Sequence, residues 1–467
     1  MSKKKPNVLF ILADDLGWSD TSLYGSKLYE TSNIDALAER GMMFTNAYAA
    51  NPLCSPTRGS IMTGLWPART GITTPGCHLD RVVLESFLSE KGPPHNKALI
   101  AQSVTRLSTE YTTLASVFHD AGYKTAHIGK WHLGAEPYSP FEHGFDVDIP
   151  HTPAPSPLAD GWFAPWKVYP GEGEPGEHLE DRMADEAVAF IRENKEGPFL
   201  LNFWQFSVHS PWHAKQDVVE KYAKKVDSED PQHNAVYAAM VEIMDDAVGR
   251  LIGTLEEEGI LDDTIVIFFS DNGGVHWSVK EHVHPDYVDV PITSNTPLRG
   301  GKANIYEGGT REPLIVVWPE HIEQGSRNDQ AMVQSIDFFS TLTELCGLDA
   351  PESSDGISFV PALKGESLER DTIFCHFPHY TPAAGGLPST SVRKGDWKLI
   401  RFYCDNDDQS DRLELYNLAN DIGESNNLAD EEPDRVAELN GLIDQFLTDA
   451  NAVIPVPNSA YQPENTM

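Results

Sequence analysis

The sequence is short of cysteine and lacks a long apolar run. Five cysteines occur among its 467 residues, at positions 54, 77, 346, 375 and 404. Because they are few, scattered and odd in number, we expect no disulfide framework. No apolar run reaches the roughly 18 residues that a membrane-spanning helix needs. We therefore expect neither a disulfide-rich scaffold nor a membrane-embedded segment.

Basic residues are scarce relative to acidic ones. The chain has 35 Lys and Arg against 71 Asp and Glu, which gives a formal net charge of −36 at pH 7. Nucleic-acid binding depends on clustered Lys and Arg that contact phosphates, so this balance argues against a nucleic-acid partner. It argues equally against docking on an anionic membrane surface. A few basic residues can still make one pocket positive, so a small anionic substrate is compatible with the composition.

The N-terminus does not resemble a signal peptide. An apolar run begins at Asn7 and stops at Asp14 and Asp15. A signal peptide needs roughly 7–15 apolar residues followed by a small-residue cleavage site, so this run is better interpreted as a buried strand. We expect a cytoplasmic protein, or a periplasmic or secreted one if a leader precedes this sequence.

The length allows one large domain or two to three smaller ones, at roughly 100–200 residues per domain. Apolar runs typical of strands alternate with helical patterns through the first three quarters of the chain. This alternation predicts an α/β fold with a large central, mostly parallel mixed sheet flanked by helices. The predicted strands are 7–12, 124–128, 198–206, 264–269 and 314–318, and the predicted helices are 34–40, 113–121, 181–192 and 234–258.

The last hundred residues have a different pattern. Residues 372–377 and 397–403 are predicted as strands, and residues 433–447 as a closing helix. We therefore expect a smaller C-terminal α+β domain that contains an antiparallel sheet. The predicted boundaries are 1–367 for the catalytic domain and 368–467 for the smaller one.

Polar side chains follow four of the predicted strands. In open α/β sheets, ligands bind outside the carboxyl ends of the strands, so we expect these side chains to meet at one edge. A single aspartate after a strand is more often a cap or turn residue, but four strands together predict a site. The side chains are those of Asp14, Asp15, Lys130, His132, His209, Asp271 and Asn272.

The side chains of four of these residues offer only oxygen atoms as metal ligands. Asp14, Asp15, Asp271 and Asn272 suit a hard divalent cation, Ca²⁺ or Mg²⁺, better than they suit zinc. The sequence therefore predicts a metal site made from the ends of two strands.

A cysteine near the start of a predicted helix adds a possible nucleophile. Cys54 lies two residues before Pro56, a residue type that suits the first turn of a helix, and Arg58 follows one turn later. Helix N-termini attract anions, and a cysteine there can act as a thiolate nucleophile. A buried structural thiol is the alternative, and the residue pattern alone leaves both open.

Six stretches together identify a family. They are Asp14-Asp15, Cys54-Ser55-Pro56-Thr57-Arg58, Gly129-Lys130-Trp131-His132-Leu133-Gly134, Ser270-Asp271-Asn272-Gly273, Arg299-Gly300-Gly301-Lys302 and Glu414-Leu415-Tyr416-Asn417-Leu418. In order and spacing they resemble the formylglycine-dependent (type I) sulfatases of the alkaline-phosphatase superfamily. The resemblance covers nearly the whole chain and includes the family's Cys-x-Pro-x-Arg signature. It implies an alkaline-phosphatase-like fold and a sulfuric ester hydrolase.

The resemblance also implies roles for individual residues. Cys54 is expected to be oxidised by a maturation enzyme to formylglycine, whose hydrate attacks sulfur, while a cation, most often Ca²⁺ in this family, occupies the oxygen-ligand site. Asp271 is both a metal ligand and an acceptor for the nucleophile's proton. The remaining implied roles are Arg58 holding the hydrate, Lys130 and Lys302 binding the sulfate, His209 as general acid and His132 as general base.

The expected substrate is a sulfated carbohydrate or an aryl sulfate. Trp162, Trp166 and Trp277 are compatible with sugar stacking or with loop anchoring, and five histidines are candidates for sugar contact or for ordinary surface positions. These histidines are His276, His282, His284, His376 and His379. His213 receives no role, because its position departs from the family's second histidine.

Two other functions are compatible with the same residues. Related enzymes hydrolyse phosphonate monoesters or phosphodiesters, and sulfate and phosphate esters are similar tetrahedral anions. A non-catalytic binding protein with an unmodified Cys54 is the remaining alternative.

Overall fold

A computed structural model gives the fold of the chain. It describes residues 5–157, 161–281, 285–349, 351 and 353–463. His282 and His284 lie outside the described residues. None of the helices within these ranges combines the length and apolarity that a membrane crossing requires.

A mixed sheet of nine strands forms the centre of the molecule. Its strands are β1 (Asn7–Ala13), β2 (Met42–Tyr48), β3 (Lys124–Gly129), β4 (Val147–Ile149), β5 (Phe199–Trp204), β6 (Thr264–Ser270), β7 (Arg311–Val317), β8 (Ser326–Asn328) and β9 (Val333–Gln334). The strand order is β8-β2-β7-β6-β1-β5-β3-β4, and β9 pairs with β2. The contiguous strands β6, β1, β5, β3 and β4 are all parallel. The predicted α/β architecture is confirmed.

Helices cover both faces of this sheet. The helices of the described residues are α1 (Ser32–Ala38), α2 (Cys54–Thr63), α3 (Pro67–Thr70), α4 (Leu114–Asp120), α5 (Leu179–Asn194), α6 (Gln216–Ala223), α7 (Ala235–Glu257), α8 (Glu307–Thr310), α9 (Asp337–Leu345), α10 (Val360–Leu363) and α11 (Pro433–Asp449). Short 3-10 helices occupy Ser22–Tyr24, Pro140–His143, Leu261–Asp263, Pro285–Tyr287 and Pro382–Ala384.

The central strand β1 explains why the sheet is covered on both sides. All seven of its residues are buried, and successive side chains of a strand point to opposite faces. Leu9 and Ile11 pack in the apolar cluster that includes α5 and α7. Val8 and Phe10 pack in the opposite cluster with α2, α4 and α9. Replacing a buried phenylalanine such as Phe10 by alanine would cost about 3–5 kcal/mol of stability.

Two features of the sheet were not predicted from the sequence. β2, over Met42–Tyr48, was not predicted as a strand, yet all of its residues are buried. The strand predicted near 314–318 is β7, which runs antiparallel to both β2 and β6. The large sheet is therefore mixed because one central strand is reversed.

A second sheet follows in the last hundred residues. It is antiparallel, with the order β10 (Thr372–Phe377), β11 (Ser389–Lys394), β12 (Trp397–Phe402) and β13 (Arg412–Asn417). α11 packs on one of its faces through Leu439 and Ile443. The other face packs on the segment around Ile305 and on Leu53, the residue before α2. The four-stranded sheet therefore supports both the start of α2 and the loop that follows Lys302. Two short ribbons complete the strands, Phe87–Leu88 with Ala101–Gln102 and Ala98–Leu99 with Val456–Pro457.

Buried ion pairs join the two sheets. The Lys398 Nζ of β12 lies 2.9 Å from Oε1 of Glu307 and 2.9 Å from Oε1 of Glu424. All three side chains are at most 3% exposed. Burial by itself would lower the pKa of Lys398, but the two carboxylates raise it, so the ammonium stays charged. This contact fixes the C-terminal sheet against the start of α8.

Candidate active site

Two carboxylates stand at the carboxyl end of β1. Asp14 and Asp15 are 0% and 1% exposed. Asp14 continues the pairing of β1 with the segment after β5, because its N–H donates to the Ser207 carbonyl at 2.8 Å and its carbonyl accepts from the Val208 N–H at 2.6 Å. Asp15 has a φ of 62°, so the chain turns in the left-handed region directly after the strand.

Asp271 and Asn272 occupy the same position at the end of β6. The Asp271 N–H donates to the Ala13 carbonyl at 3.1 Å, which places the two strand ends side by side. The Asp15 N–H lies 3.3 Å from Asp271 Oδ1, and the Asn272 Nδ2 donates to Asp15 Oδ1 at 2.8 Å. Burial and the neighbouring Asp14 carboxylate raise the pKa of Asp271 to about 6. The structure thus brings together the four residues predicted as metal ligands.

The oxygens of this cluster fit a divalent cation. Oδ1 of Asp14 and Oδ1 of Asn272 are buried and have no hydrogen-bond partner among the described residues. A buried polar oxygen without a partner is costly, and a hard cation ligated by oxygen removes that cost. Donor atoms of Asp14, Asp15, Cys54 and His209 also lie within 4.8 Å of one another. Burial raises the pKa of the Cys54 thiol to about 12, and a hard divalent cation prefers oxygen ligands to sulfur. We therefore favour the oxygen set.

Two lysines bring positive charge to these carboxylates. Lys130, directly after β3, places its Nζ 2.6 Å from Asp14 Oδ2, and both side chains are fully buried. Lys302 places its Nζ 2.6 Å from Asp15 Oδ2 and is 13% exposed. Burial by itself would lower the pKa of Lys302, but the Asp15 carboxylate raises it. Both predicted sulfate-binding lysines therefore lie beside the predicted metal site.

The predicted nucleophile begins helix α2. Cys54 is 1% exposed, and every residue of α2 is buried. Arg58, one turn later, extends toward β6, where its Nε and Nη2 lie 2.8 and 2.7 Å from Asp271 Oδ2. Its Nη1 donates to the Lys130 carbonyl. Arg58 thus connects the helix of residue 54 to the ends of β3 and β6.

The two predicted catalytic histidines have different surroundings. His209 Nε2 lies 3.7 Å from Asp15 Oδ2, and its side chain is 17% exposed. Burial and Lys302 lower the pKa of His209 to about 3. His132 is 1% exposed, and burial together with Lys130 holds its pKa well below the usual range. Both imidazoles are therefore neutral near pH 7.

His78 was not singled out by the sequence, yet it contacts this site. Its Nδ1 lies 3.0 Å from Nε2 of His132. Only its place downstream of the Cys54 motif, next to Cys77, could have drawn attention to it. The contact depends on a loop that the sequence pattern does not position.

The loop tryptophans anchor their segment instead of offering a stacking surface. Trp162 and Trp166 are 0% and 3% exposed. Trp162 Nε1 donates to the Pro211 carbonyl at 2.6 Å, and Trp166 Nε1 donates to the Trp162 carbonyl at 2.9 Å. The sugar-stacking interpretation of these two residues is therefore wrong. Trp277 is only partly buried and lies beside His276, with ring centroids 5.4 Å apart.

His376 and His379 are not surface histidines. They are 2% and 5% exposed. His376 Nδ1 lies 2.7 Å from the Thr390 hydroxyl oxygen, and His379 Nε2 lies 2.8 Å from the Thr73 hydroxyl oxygen. His376 thus contacts its neighbouring strand within the C-terminal sheet, and His379 contacts the segment that follows α3. His213 packs on the Phe163 ring, with ring centroids 5.1 Å apart.

Comparison with known families agrees with this arrangement. The sulfatase family model matches residues 6–348. The model of the C-terminal region of N-sulphoglucosamine sulphohydrolase matches residues 301–450. Together these matches include every predicted site residue.

Individual relatives extend the similarity over most of the chain. A sulfatase of Formosa agariphila is 31% identical, over 97% of this chain and 90% of the relative. The N-acetylgalactosamine-6-sulfatase of Sus scrofa is 32% identical, over 79% of this chain and 68% of the relative. The crystal structure of Ps i-CgsB in complex with k-i-k-neocarrahexaose aligns with a TM-score of 0.74 at 25% identity, over 99% of this chain and 94% of that one. The chain belongs to the sulfatase family, the sulfuric ester hydrolases.

Proposed function

We propose that the protein releases inorganic sulfate from a sulfated carbohydrate, with residue 54 as the nucleophile after its conversion to formylglycine. The observation that carries the proposal is that Cys54 and two lysines lie beside four oxygen-ligand side chains, which follow the carboxyl ends of the adjacent parallel strands β1 and β6. A sugar substrate is supported by the names of two similar proteins, an N-acetylgalactosamine-6-sulfatase and a protein crystallised with neocarrahexaose.

A divalent cation and the modified residue would supply the chemistry that the encoded side chains lack. Asp14, Asp15, Asp271 and Asn272 would hold the cation, and we favour Ca²⁺ on the family resemblance alone, since these oxygen ligands also suit Mg²⁺. When bound, the cation would supply Lewis-acid chemistry, and the hydrated aldehyde of residue 54 would supply one hydroxyl as nucleophile and a second for sulfate release.

The two lysines would bind the anionic ester. Lys130 and Lys302 are compact positive charges beside the carboxylate cluster, and both lie in a largely water-free setting. Charge stabilisation is strong where water is excluded, and it is commonly the largest contribution to catalysis. We assign these residues to the sulfate oxygens. Arg58 would keep Asp271 ionised and would hold residue 54 in register with it.

The two histidines would move protons in opposite directions. His209 is neutral in the free protein because burial and Lys302 outweigh the Asp15 carboxylate beside it, and a second negative charge would favour the imidazolium. A bound sulfate ester would therefore make His209 a general acid for the leaving oxygen. His132 stays neutral among cations and would act as the general base at its Nδ1.

The first test is a peptide mass analysis across residue 54, on protein co-expressed with a formylglycine-generating enzyme. We expect the mass of the aldehyde or its hydrate. The second test measures sulfate release from sulfated monosaccharides and from a small aryl sulfate, with matched phosphate esters in parallel. We expect sulfate esters of sugars to be turned over fastest. An unmodified Cys54, or faster release of phosphate than of sulfate, would contradict the proposal.

A further inference from the structure

The ring nitrogens of His132 have unequal surroundings. Nδ1 is buried and has no hydrogen-bond partner among the described residues. Nε2 has two neighbours, the Pro75 carbonyl oxygen at 3.1 Å and the Nδ1 of His78 at 3.0 Å. Two groups therefore converge on one nitrogen and leave the other available.

The Pro75 carbonyl decides where the hydrogen of His132 lies. A carbonyl can only accept, so Nε2 of His132 carries the hydrogen and Nδ1 carries the lone pair. His78 can share this Nε2–H only if its own Nδ1 is unprotonated. The arrangement is consistent with two acceptors, a carbonyl and a neutral imidazole, both directed at the same N–H.

The backbone on either side of His78 is held in place. The buried guanidinium of Arg106 donates to the Cys77 carbonyl at 3.0 Å through Nη1 and to the Leu79 carbonyl through Nη2. Cys77 itself is fully buried, whereas the next residue, His78, is exposed. Arg106 therefore fixes the backbone around His78, and the exposed imidazole of His78 contacts the buried imidazole of His132.

We propose that His78 is a positioning residue for His132: as a neutral acceptor on Nε2, it holds the tautomer whose Nδ1 takes up a proton during sulfate release. The proposal rests on the function proposed above, in which His132 is the general base. It adds a residue that acts through His132 and does not touch the substrate.

The charges around His132 explain why such an acceptor is needed. Burial disfavours a positive charge on the ring most strongly, and four neighbouring cationic or titratable groups add to this effect: Lys130, His78 when it is protonated, Arg58 and His209. An imidazole that must accept a proton in this setting needs hydrogen-bond acceptors for its N–H, because they stabilise the charged form. Among the described residues, the Pro75 carbonyl and His78 Nδ1 are the acceptors that the ring has.

The contact between His78 and His132 predicts a specific pH dependence of the activity. When His78 gains a proton, its Nδ1 becomes a donor and faces the Nε2–H of His132, so the contact is lost. The groups that face His78 are the Pro75 carbonyl, Lys130, Arg106 and His132 itself. Partial desolvation of the ring and the two cations lower the pKa of His78, and together they outweigh the Pro75 carbonyl, which raises it. Activity should therefore fall on the acid side as His78 titrates, before His132 does.

Two substitutions separate hydrogen bonding from titration. His78→Asn places an amide oxygen near the position of Nδ1, which keeps an acceptor that does not titrate. His78→Leu removes the acceptor. His119→Leu is the matched control, because His119 is a half-exposed histidine at the opposite edge of the sheet, beside Asp146.

We expect His78→Leu to lower kcat by roughly 10–100-fold with little change in KM, the usual effect of losing a group that orients a histidine through its second nitrogen. His78→Asn should recover most of the kcat, and its acid limb should move to lower pH than that of the parent. Equal kcat in His78→Leu and the control, or identical pH profiles for His78→Asn and the parent, would overturn the proposal.

A second readout does not depend on turnover. In Cys54→Ala protein labelled with ¹⁵N-histidine, the His132 Nε2–H signal should shift with pH as His78 titrates, and this shift should vanish in Cys54→Ala/His78→Asn. A His132 Nε2–H chemical shift that does not change as His78 titrates would show that the contact is absent, even if the parent is an active sulfatase. If the parent released no sulfate but this shift were present, the proposed function would fail and the contact would stand.

Discussion

Arg58 and Asp271 form a fully buried ion pair in which two guanidinium nitrogens share one carboxylate oxygen. Nε and Nη2 lie 2.8 and 2.7 Å from Oδ2, and both side chains are 0% exposed. Arg58 belongs to the helix that begins at Cys54, while Asp271 follows strand β6. The pair therefore sets the distance between the predicted nucleophile and the predicted metal ligands.

Removal of this arginine should be costly for stability. Arg58→Met would leave the Asp271 carboxylate without its main cation, and breaking one partner of a buried pair costs about 3–5 kcal/mol. Urea unfolding of the metal-free protein measures the loss. Arg40→Met is the control, because Arg40 pairs with Glu256 and both side chains are more than a third exposed, and such pairs contribute about 1 kcal/mol or less. Equal unfolding midpoints for the two variants would contradict the buried-pair argument.

One divalent cation should bind per chain, with the strand-end oxygens as its ligands. Asn272→Ala removes an amide oxygen that has no hydrogen-bond partner among the described residues, so we expect the Ca²⁺ content after dialysis to fall well below one equivalent. Calorimetric titration of the chelator-treated protein gives the affinity. The control is Asn202→Ala, since Asn202 is buried within β5 and not at its end. Unchanged metal content in Asn272→Ala would show that the ligand set is wrong.

Substitution of the predicted nucleophile should separate folding from turnover. Cys54→Ala should keep the fold and lose sulfate release. Cys54→Ser should also fail to turn over, because serine has no second hydroxyl from which sulfate can be released, and intact mass should reveal a sulfated protein. Cys375→Ala, another buried cysteine, should remain active. Many turnovers by the serine variant would exclude the diol mechanism.

Glu180 should make the stability fall as the pH rises. It is fully buried in α5, and its Oε2 accepts from the Ser207 hydroxyl at 2.7 Å and the Ser207 N–H at 3.2 Å. Burial raises its pKa from 4.5 to about 7. The folded state therefore binds this proton more tightly than the unfolded state does. The stabilisation is complete below about pH 4.5 and is lost as the pH rises through about 7, by up to about 3 kcal/mol.

Unfolding midpoints at pH 5 and pH 8 measure this effect. Glu180→Gln should flatten the decline between the two values, because glutamine carries no proton to lose. Glu193→Gln, an exposed position in the same helix, should leave the decline unchanged. A Glu180→Gln protein with the full parental decline would contradict a protonated Glu180 in the folded state.

The fold followed from the sequence where apolar runs were long and uninterrupted. β1 and β6 carry seven buried residues each, and a run of this kind admits few interpretations other than a strand covered on both faces. β2 was missed because Thr45 and Asn46 interrupt its apolar residues; both are buried, and their side chains bond the Asp329 segment. The antiparallel direction of β7 could not be predicted from the sequence, since burial patterns do not encode strand direction.

The predicted site residues came from strand ends and from family motifs, both of which are local in sequence. His78 was not identified because its role depends on a loop that Arg106 holds through contacts to residues 27 and 29 positions away in the chain. The tryptophans at 162 and 166 were ambiguous for a related reason. Whether a loop tryptophan stacks on a ligand or fills the core depends on packing that composition alone does not reveal.

The burial of helix α2 has a consequence for the order of events in the cell. All ten residues from Cys54 to Thr63 are buried, so a modifying enzyme could not bind this segment once the chain has folded. The conversion of Cys54 would have to take place on the extended, newly made chain. The yield of active protein would then depend on competition between the enzymatic conversion of Cys54 and the spontaneous folding of the chain. A chain that folded before conversion would be stable but inactive.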